Sequence, residues 1–127
     1  MLKVADIDIS MYACVSPCIR SSTVILTENQ IEHIIKRRGQ DFFEKYSPFF
    51  REIAEDPDYI FPDKKHPDTA IACKTLNFDG TNVHLVIRLA VEGDDPALEN
   101  SIITALVESD RRYAQRLRNN VPLYKRE

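Results

Sequence analysis

The second half of the chain constrains the fold most strongly, because its apolar residues repeat with a period of two. Residues 70–78 and 83–91 form two such segments, and every second residue from Val83 to Val91 is apolar. The Asp79-Gly80 pair between the segments is typical of a tight hairpin turn. Since successive side chains of a strand point to opposite faces, this pattern predicts an antiparallel hairpin with one buried face.

Further elements flank the predicted hairpin. Residues 100–107 form an apolar run interrupted by Ser101 and Thr104, which predicts a central strand buried on both sides except at these two residues. Residues 110–119 have a helical pattern, and residues 121–124 predict a short edge strand.

The first half of the chain predicts helices. Thr27, with Gln30 three residues later, has the form of a capping box for a helix over residues 28–38, and Gly39 supplies the stop. Further helical stretches are predicted over 41–46 and 48–55, where Phe49 and Phe50 are expected to pack into the core.

These elements and the composition together predict one α+β domain. The 127 residues are 43% hydrophobic and 29% charged, which is ordinary for a globular protein. We expect N-terminal helices packed on a mostly antiparallel sheet of about four or more strands. A strand or extended arm over residues 1–21 is expected to precede the main region, residues 22–125.

Charge is distributed unevenly along the chain. The formal net charge of -3 argues against a protein that coats nucleic acid by bulk attraction, but it permits a local basic surface. Residues 52–58 and 92–99 are acidic. The basic residues concentrate at Lys36, Arg37 and Arg38, and at Arg111, Arg112, Arg116, Arg118, Lys125 and Arg126.

The three cysteines contain no Cys-x-x-Cys pair, which favours reduced thiols. A zinc site built on Cys14 and Cys18 would need two more ligands from separate segments, so we predict neither a metal nor a cofactor. The chain contains no secretory leader and no membrane-spanning run. The sequence therefore predicts a cytoplasmic protein that does not contact membranes.

Two polar groups stand out against this background. His33 and Arg37 share a polar face of the predicted helix, either as a solvated surface or as a site for an anion. Ser101 and Thr104 either satisfy backbone groups of their strand or contact phosphate. They lie on opposite faces of a regular strand, and a bulge would bring them to one face.

The order of these motifs resembles a known nuclease group. The Val-Ile-Leu-Thr strand, a helix with His-Ile-x-x-Arg-Arg, the β-hairpin, Ser-Ile-Ile-Thr-Ala and a terminal Leu-Tyr are similar to the phage-associated branch of the barnase, EndoU, colicin and RelE-like nuclease superfamily. In that branch the helix motif ends in a second histidine. Arg38 occupies that position here, and arginine is a poor general base because it keeps its proton.

The resemblance implies a metal-independent endoribonuclease of phage or mobile-element origin, which cleaves RNA by attack of the 2′-hydroxyl. It implies that His33 acts as acid/base, that Arg37 and Arg38 stabilise the phosphorane, and that Thr104 orients the phosphate. Substrate contacts are expected from the remaining polar residues of suitable type: Ser101, Lys74, His84, Arg88 and Tyr124.

Alternative functions follow from the missing second histidine. A catalytically inactive relative would keep the fold and act as an RNA- or protein-binding module. RNA is the expected partner of an active or inactive member, and an antidote or another protein partner is left open as an alternative. A structural or DNA-packaging role is a further alternative.

Overall fold

The computed structural model describes residues 1–127 and contains helices and strands in mixed order. The strands are β1 (Leu2–Asp6), β2 (Thr23–Leu26), β3 (Tyr59–Pro62), β4 (Thr69–Thr75), β5 (Asn82–Arg88), β6 (Asn100–Glu108) and β7 (Tyr124–Lys125). The α-helices are α1 (Ile9–Tyr12), α2 (Glu28–Arg38), α3 (Gln40–Tyr46), α4 (Phe50–Glu55) and α5 (Asp110–Asn119), with a 3-10 turn over Ser47–Phe49.

All seven strands form one sheet in the order β1-β2-β6-β5-β4-β3-β7. The β2–β6 pair is parallel, and the other neighbours are antiparallel. The predicted α+β class and the mostly antiparallel sheet are therefore confirmed. Residues near the N-terminus belong to this sheet, because β1 pairs with β2 and Ile19 forms a bridge to Val91.

One face of the sheet, here called the helix face, carries the main core. Ala72, Leu85 and Ala105 point to this face and are fully buried. Helices α2 and α4 cover it, with Ile34 and Phe50 among the buried side chains. In each helix between β2 and β3 only one stripe of side chains is buried. These helices therefore need few apolar residues per turn.

The opposite face, here called the open face, is covered only in part. Helix α5 packs Tyr113 against Phe61 and Cys73, which forms a second, smaller apolar cluster. Val86 and Thr104 lie beyond this cover and are half-buried. The prediction that β6 is buried on both sides except at Ser101 and Thr104 is wrong for the C-terminal part of the strand, where Leu106 is half-buried and Val107 is 45% exposed.

Helix α2 has the predicted bounds because both of its ends are capped as the sequence suggests. The Thr27 hydroxyl accepts a hydrogen bond from the Gln30 amide at 3.2 Å. Gly39 has a φ of 101° and donates its amide to Ile35 at 2.8 Å. A positive φ favours glycine, since other residues carry a Cβ that clashes there.

Other expectations for the helices need correction. The helices are not confined to the N-terminal part, since α5 follows the last long strand. Within residues 1–21, the predicted arm is interrupted by α1, which Asp8 caps by accepting amide hydrogen bonds from Ser10 and Met11. None of the helices has the length and apolar character that crossing a bilayer requires.

A bulge in β6 decides where its hydroxyls point. Thr104 pairs with Val86, but the next pair in the ladder joins Ile102 to Ile87, so Ile103 is the extra residue. Ser101 pairs with Arg88 beyond the bulge. Because paired residues share a face, the bulge brings Ser101 and Thr104 to the same open face.

Candidate nucleic-acid interface

The predicted acid/base group lies on the surface of α2. His33 and Arg37 are both exposed and lie one turn apart on α2. Arg38 is also exposed, but its Nε donates a hydrogen bond to the carbonyl of Ala105 at 3.0 Å. Beyond Ser101, β6 has no paired strand on this side, so Arg38 satisfies a carbonyl that β2 does not reach.

Thr104 lies on the other side of the sheet from these groups. Its neighbour Ala105 points into the core beneath the helices, and the strand pleat turns Thr104 to the open face. The Thr104 hydroxyl oxygen is buried and has no hydrogen-bond partner. The structure therefore does not bring His33 and Thr104 together around one position for a phosphate.

A cavity of about 440 Å³ lies on the open face beside Thr104. Arg88 lines it, but its guanidinium is held by Asp94 at 3.2 and 3.3 Å. His66 at the rim is held by Asp63, with Nδ1 and Oδ2 3.2 Å apart. The charged groups of this cavity are thus neutralised within the protein, and Ser101 opposite Arg88 adds only a hydroxyl.

His84, predicted to contact substrate, is instead fully buried beneath α5. Its Nε2 lies 3.0 Å from Glu108 Oε1, and Arg116 binds the same carboxylate through two hydrogen bonds of 3.0 Å each. The His84 ring also packs against Tyr113, with 4.8 Å between ring centroids. This network ties α5 to β5 and β6, which leaves no surface of His84 for a ligand.

Burial and partners shift the ionisation of this network. Burial lowers the pKa of His84, and the neighbouring Glu108 opposes that shift. Burial would raise the pKa of Glu108, but the hydrogen bonds from Arg116 and His84 hold it below its ordinary value. Glu108 is therefore ionised and His84 is neutral at pH 7, with Arg116 as the cation of the network.

Lys74 and Tyr124 are also placed away from any common site. Lys74 is buried, and its Nζ lies 2.7 Å from the carbonyl and 3.4 Å from the carboxylate of Asp56, with Asp58 at 3.9 Å. Tyr124 belongs to β7, which pairs with β3 at the edge of the sheet. Four strand spacings of about 4.8 Å separate β7 from β6, so Tyr124 is roughly 19 Å from Thr104.

One end of the sheet gathers unpaired cations, and we call it the basic end. It comprises the end of α2 and the start of α5, which both flank the C-terminal part of β6. Arg38 contacts Ala105, and the Asp110 carboxylate at the start of α5 accepts a hydrogen bond from Asn82 at 2.8 Å. Its exposed basic side chains, none of which forms a salt bridge, are Lys36, Arg37, Arg38, Arg111 and Arg112.

The basic end is compact enough to contact one polyanion. Ala105 and Glu108 are three residues apart in an extended strand, which places the two cation groups on either side of a β6 segment roughly 10 Å long. The fold thus unites two basic clusters that are about seventy residues apart in the sequence. The sequence alone indicated each cluster but contained no sign that they meet.

The hairpin between β4 and β5 adds aromatic side chains at the same end. Phe78 is 55% exposed and stacks on Phe49, with ring centroids 4.9 Å apart and planes 7° from parallel. The expectation that Phe49 packs in the core is therefore only partly correct, because it lies half-buried at the margin. The sequence contained one signal for the exposed aromatic side chain, namely a bulky apolar residue in the turn Asn77-Phe78-Asp79-Gly80.

Comparison with protein-family models, with curated proteins and with solved structures returns no significant match. The resemblance to the nuclease superfamily therefore stays a prediction that depends on the motifs alone.

Proposed function

We propose that this protein is an RNA-binding module that contacts the phosphate backbone through its basic end. The observation that carries the proposal is that exposed basic side chains from α2 and α5 flank the same end of β6. Four of them, Lys36, Arg37, Arg111 and Arg112, have no partner in the fold, and Arg38 donates only to the Ala105 carbonyl. Exposed cations that are not used within the fold remain available to neutralise phosphates and release counterions. The overall charge of -3 makes this local surface the place where a polyanion is attracted.

The separation of the predicted catalytic residues favours binding over cleavage. Attack by a 2′-hydroxyl needs an acid/base group and an oxyanion stabiliser gathered at one phosphate. His33 and Thr104 lie on different sides of the sheet, and the Thr104 hydroxyl is buried. The inactive relative expected from the resemblance therefore fits this geometry better than the active nuclease.

A metal-independent endoribonuclease is the second candidate. His33 and Arg37 share an exposed helix face beside the basic end, so bound RNA would pass within reach of both. If the protein cleaves RNA in EDTA and leaves a 2′,3′-cyclic phosphate, and if the His33→Ala variant loses that activity, the second candidate replaces the first.

The main test is fluorescence anisotropy with a labelled ten-nucleotide RNA across a range of salt concentrations. We expect the wild-type affinity to fall steeply with salt, and the double variant Lys36→Glu/Arg37→Glu to bind at least about tenfold more weakly, since it replaces two phosphate contacts by repulsion. Both positions are exposed, so the fold should survive, which circular dichroism and a thermal melt would verify.

The matched control is Lys64→Glu/Lys65→Glu. These two lysines are exposed in the loop between β3 and β4, at the opposite end of the sheet, and the variant has the same net charge as the first. It should keep the wild-type affinity within about threefold at 0.15 M salt, where exposed charges are screened over about 8 Å. Equal losses in both variants would contradict a defined interface, and absence of RNA binding by the wild type would refute the proposal.

A further inference from the structure

The exposed aromatic pair at the basic end has no role in the folded chain that accounts for its geometry. Phe78 is more than half exposed, although a Phe side chain is normally a source of burial energy. One face of its ring rests on Phe49 in a nearly parallel stack, and just over half of the side chain stays exposed to solvent. Such a ring is a flat apolar surface that is held in place before any ligand arrives.

The turn that carries Phe78 is rigid. The Gly80 amide donates to the Leu76 carbonyl at 2.8 Å, and the Thr81 amide donates to the Asp79 carboxylate at 3.0 Å. The Tyr46 hydroxyl bridges Asp79 and Thr81 at 3.2 Å each, so the turn is fastened to α3. A fixed aromatic ring loses little conformational entropy on binding.

A cation, Lys45, borders the same ring. Lys45 Nζ lies 5.9 Å from the Phe78 ring centroid and 3.4 Å from the Asp79 carboxylate. Helix α3 leads directly from the end of α2 to Lys45, a distance of about 10 Å for seven helical residues. The free ring and the cations of the basic end are therefore within the span of a few nucleotides.

We infer that Phe78 is a stacking platform for an unpaired base, and that the RNA bound at the basic end is single-stranded. This inference rests on the proposed RNA binding. A base exposes its π-face only when it is unpaired at that point, and stacking on an aromatic side chain tolerates any base. An apolar protein partner is the competing occupant, but the unpaired cations of the basic end, such as Lys36 and Arg37, match a polyanion and give such a partner nothing to pair with.

The test compares four substitutions at position 78 by anisotropy with a fluorescein-labelled adenosine decamer. Phe78→Ala should bind roughly tenfold more weakly, which is the usual scale for one stacked base. Phe78→Leu should lose a similar factor, because it is apolar but not planar, whereas Phe78→Tyr and Phe78→Trp should stay close to wild type. The dependence on salt should be unchanged in all four, since no phosphate contact is removed.

A direct readout comes from Phe78→Trp, since the natural chain contains no tryptophan. Its fluorescence should be quenched by the adenosine decamer and unaffected by inorganic polyphosphate, which has the charge but no bases. A fully paired RNA hairpin with a stable short loop should bind more weakly than the decamer. Circular dichroism and thermal melts of each variant would verify that the exposed position leaves the fold intact.

The outcomes separate the two proposals. If Phe78→Ala keeps the wild-type affinity while Lys36→Glu/Arg37→Glu weakens binding, RNA binding stands and the stacking platform is refuted. If Phe78→Leu binds as well as wild type, the contact is apolar without being stacked, and the inference also fails. If the wild type binds no RNA, the proposed function itself is refuted, and the ring is then left to an apolar protein partner.

Discussion

The end of the sheet where β5 leads into β6 through residues 89–99 is here called the loop end. Its polar side chains hold the protein itself together, whereas at the basic end several cations have no partner. Arg20 donates to the carbonyls of Asp94, Asp95 and Leu98, and Arg88 pairs with Asp94. At the basic end, Lys36 and Arg37 form no salt bridge.

The charges at the loop end stabilise the fold, whereas those at the basic end are available to a ligand. Loop 89–99 is long and lacks regular structure, so its backbone groups need side-chain partners. The helix ends at the basic end are already capped by Gly39 and Ser109, so the cations there are not needed for that purpose. A substitution should therefore affect stability at one end and RNA binding at the other.

The largest effect on stability is expected for Asn100→Ala at the loop end. The buried Asn100 amide donates to the carbonyls of Ser21 and Thr23 at 2.6 and 2.9 Å and accepts from the Ala90 amide at 2.7 Å. Losing these bonds deprives one buried amide and two part-buried carbonyls of this partner, which should lower the free energy of unfolding by about 3 kcal/mol in urea denaturation.

Two measurements show whether this effect belongs to the loop end alone. Asn119→Ala, at an exposed position of α5, should change the free energy of unfolding by less than about 0.5 kcal/mol. At temperatures where the Asn100→Ala variant remains folded, its affinity for RNA should equal that of the wild type. A lower affinity of the folded variant would break the division between the two ends.

A smaller effect is expected from the pH dependence of the network beneath α5. Because burial lowers the pKa of His84, the unfolded chain takes up this proton more readily than the folded chain. Stability should therefore fall as the pH decreases below about 6.5, the ordinary value for histidine, with a slope of at most about 1.4 kcal/mol per pH unit for one proton. Replacing His84 by Gln should flatten this slope in urea denaturations between pH 7 and 5.

A control variant and a second ionisable group, Glu108, accompany this prediction. His33→Gln removes an exposed histidine and should leave the slope unchanged. Glu108 has a lowered pKa, so its contribution is present at neutral pH and is lost only as the pH falls below its ordinary value of 4.5. A wild-type stability that rises between pH 7 and 5 would show that the His84 pair with Glu108 outweighs its burial.

The smallest effect is expected for Glu92→Lys in the loop end. Glu92 is exposed, and its side chain forms no hydrogen bond or salt bridge. The seven residues of β5 separate this end from the basic end by roughly 23 Å, which is well beyond the screening length at 0.15 M salt. RNA affinity should stay within about twofold and stability within about 0.5 kcal/mol, and a larger gain in affinity would place RNA on both ends of the sheet.

Some of the fold could be predicted because local rules act on neighbouring residues. Helix α2 has the predicted bounds because Thr27 and Gly39 act on backbone groups only a few positions away. The hairpin of β4 and β5 likewise follows from alternation around Asp79-Gly80. The position of α5 in the fold, by contrast, depends on Tyr113 packing against Phe61 and Cys73, which belong to the distant strands β3 and β4.

The candidate site was harder to predict, because it depends on which side chains are buried and on which of them lie close together in the fold. His84 and Arg88 alternate with core residues and so were expected on one accessible face, but α5 covers His84 and Asp94 holds Arg88. The hydroxyls of Ser101 and Thr104 share a face only because of the bulge at Ile103. The sequence contains no glycine at this position that would indicate a bulge.

The sequence by itself determined the α+β class, the ends of α2 and α5, and the presence of two basic segments. These properties follow from periodicity, capping residues and composition, which act within a few residues of one another. Only the tertiary structure decided that the two basic segments meet beside β6, that His33 and Thr104 lie on different sides of the sheet, and that Phe78 rests on Phe49. Contacts between residues far apart in the chain arise from the packing of a shared core, and a single sequence contains no local signal of that packing.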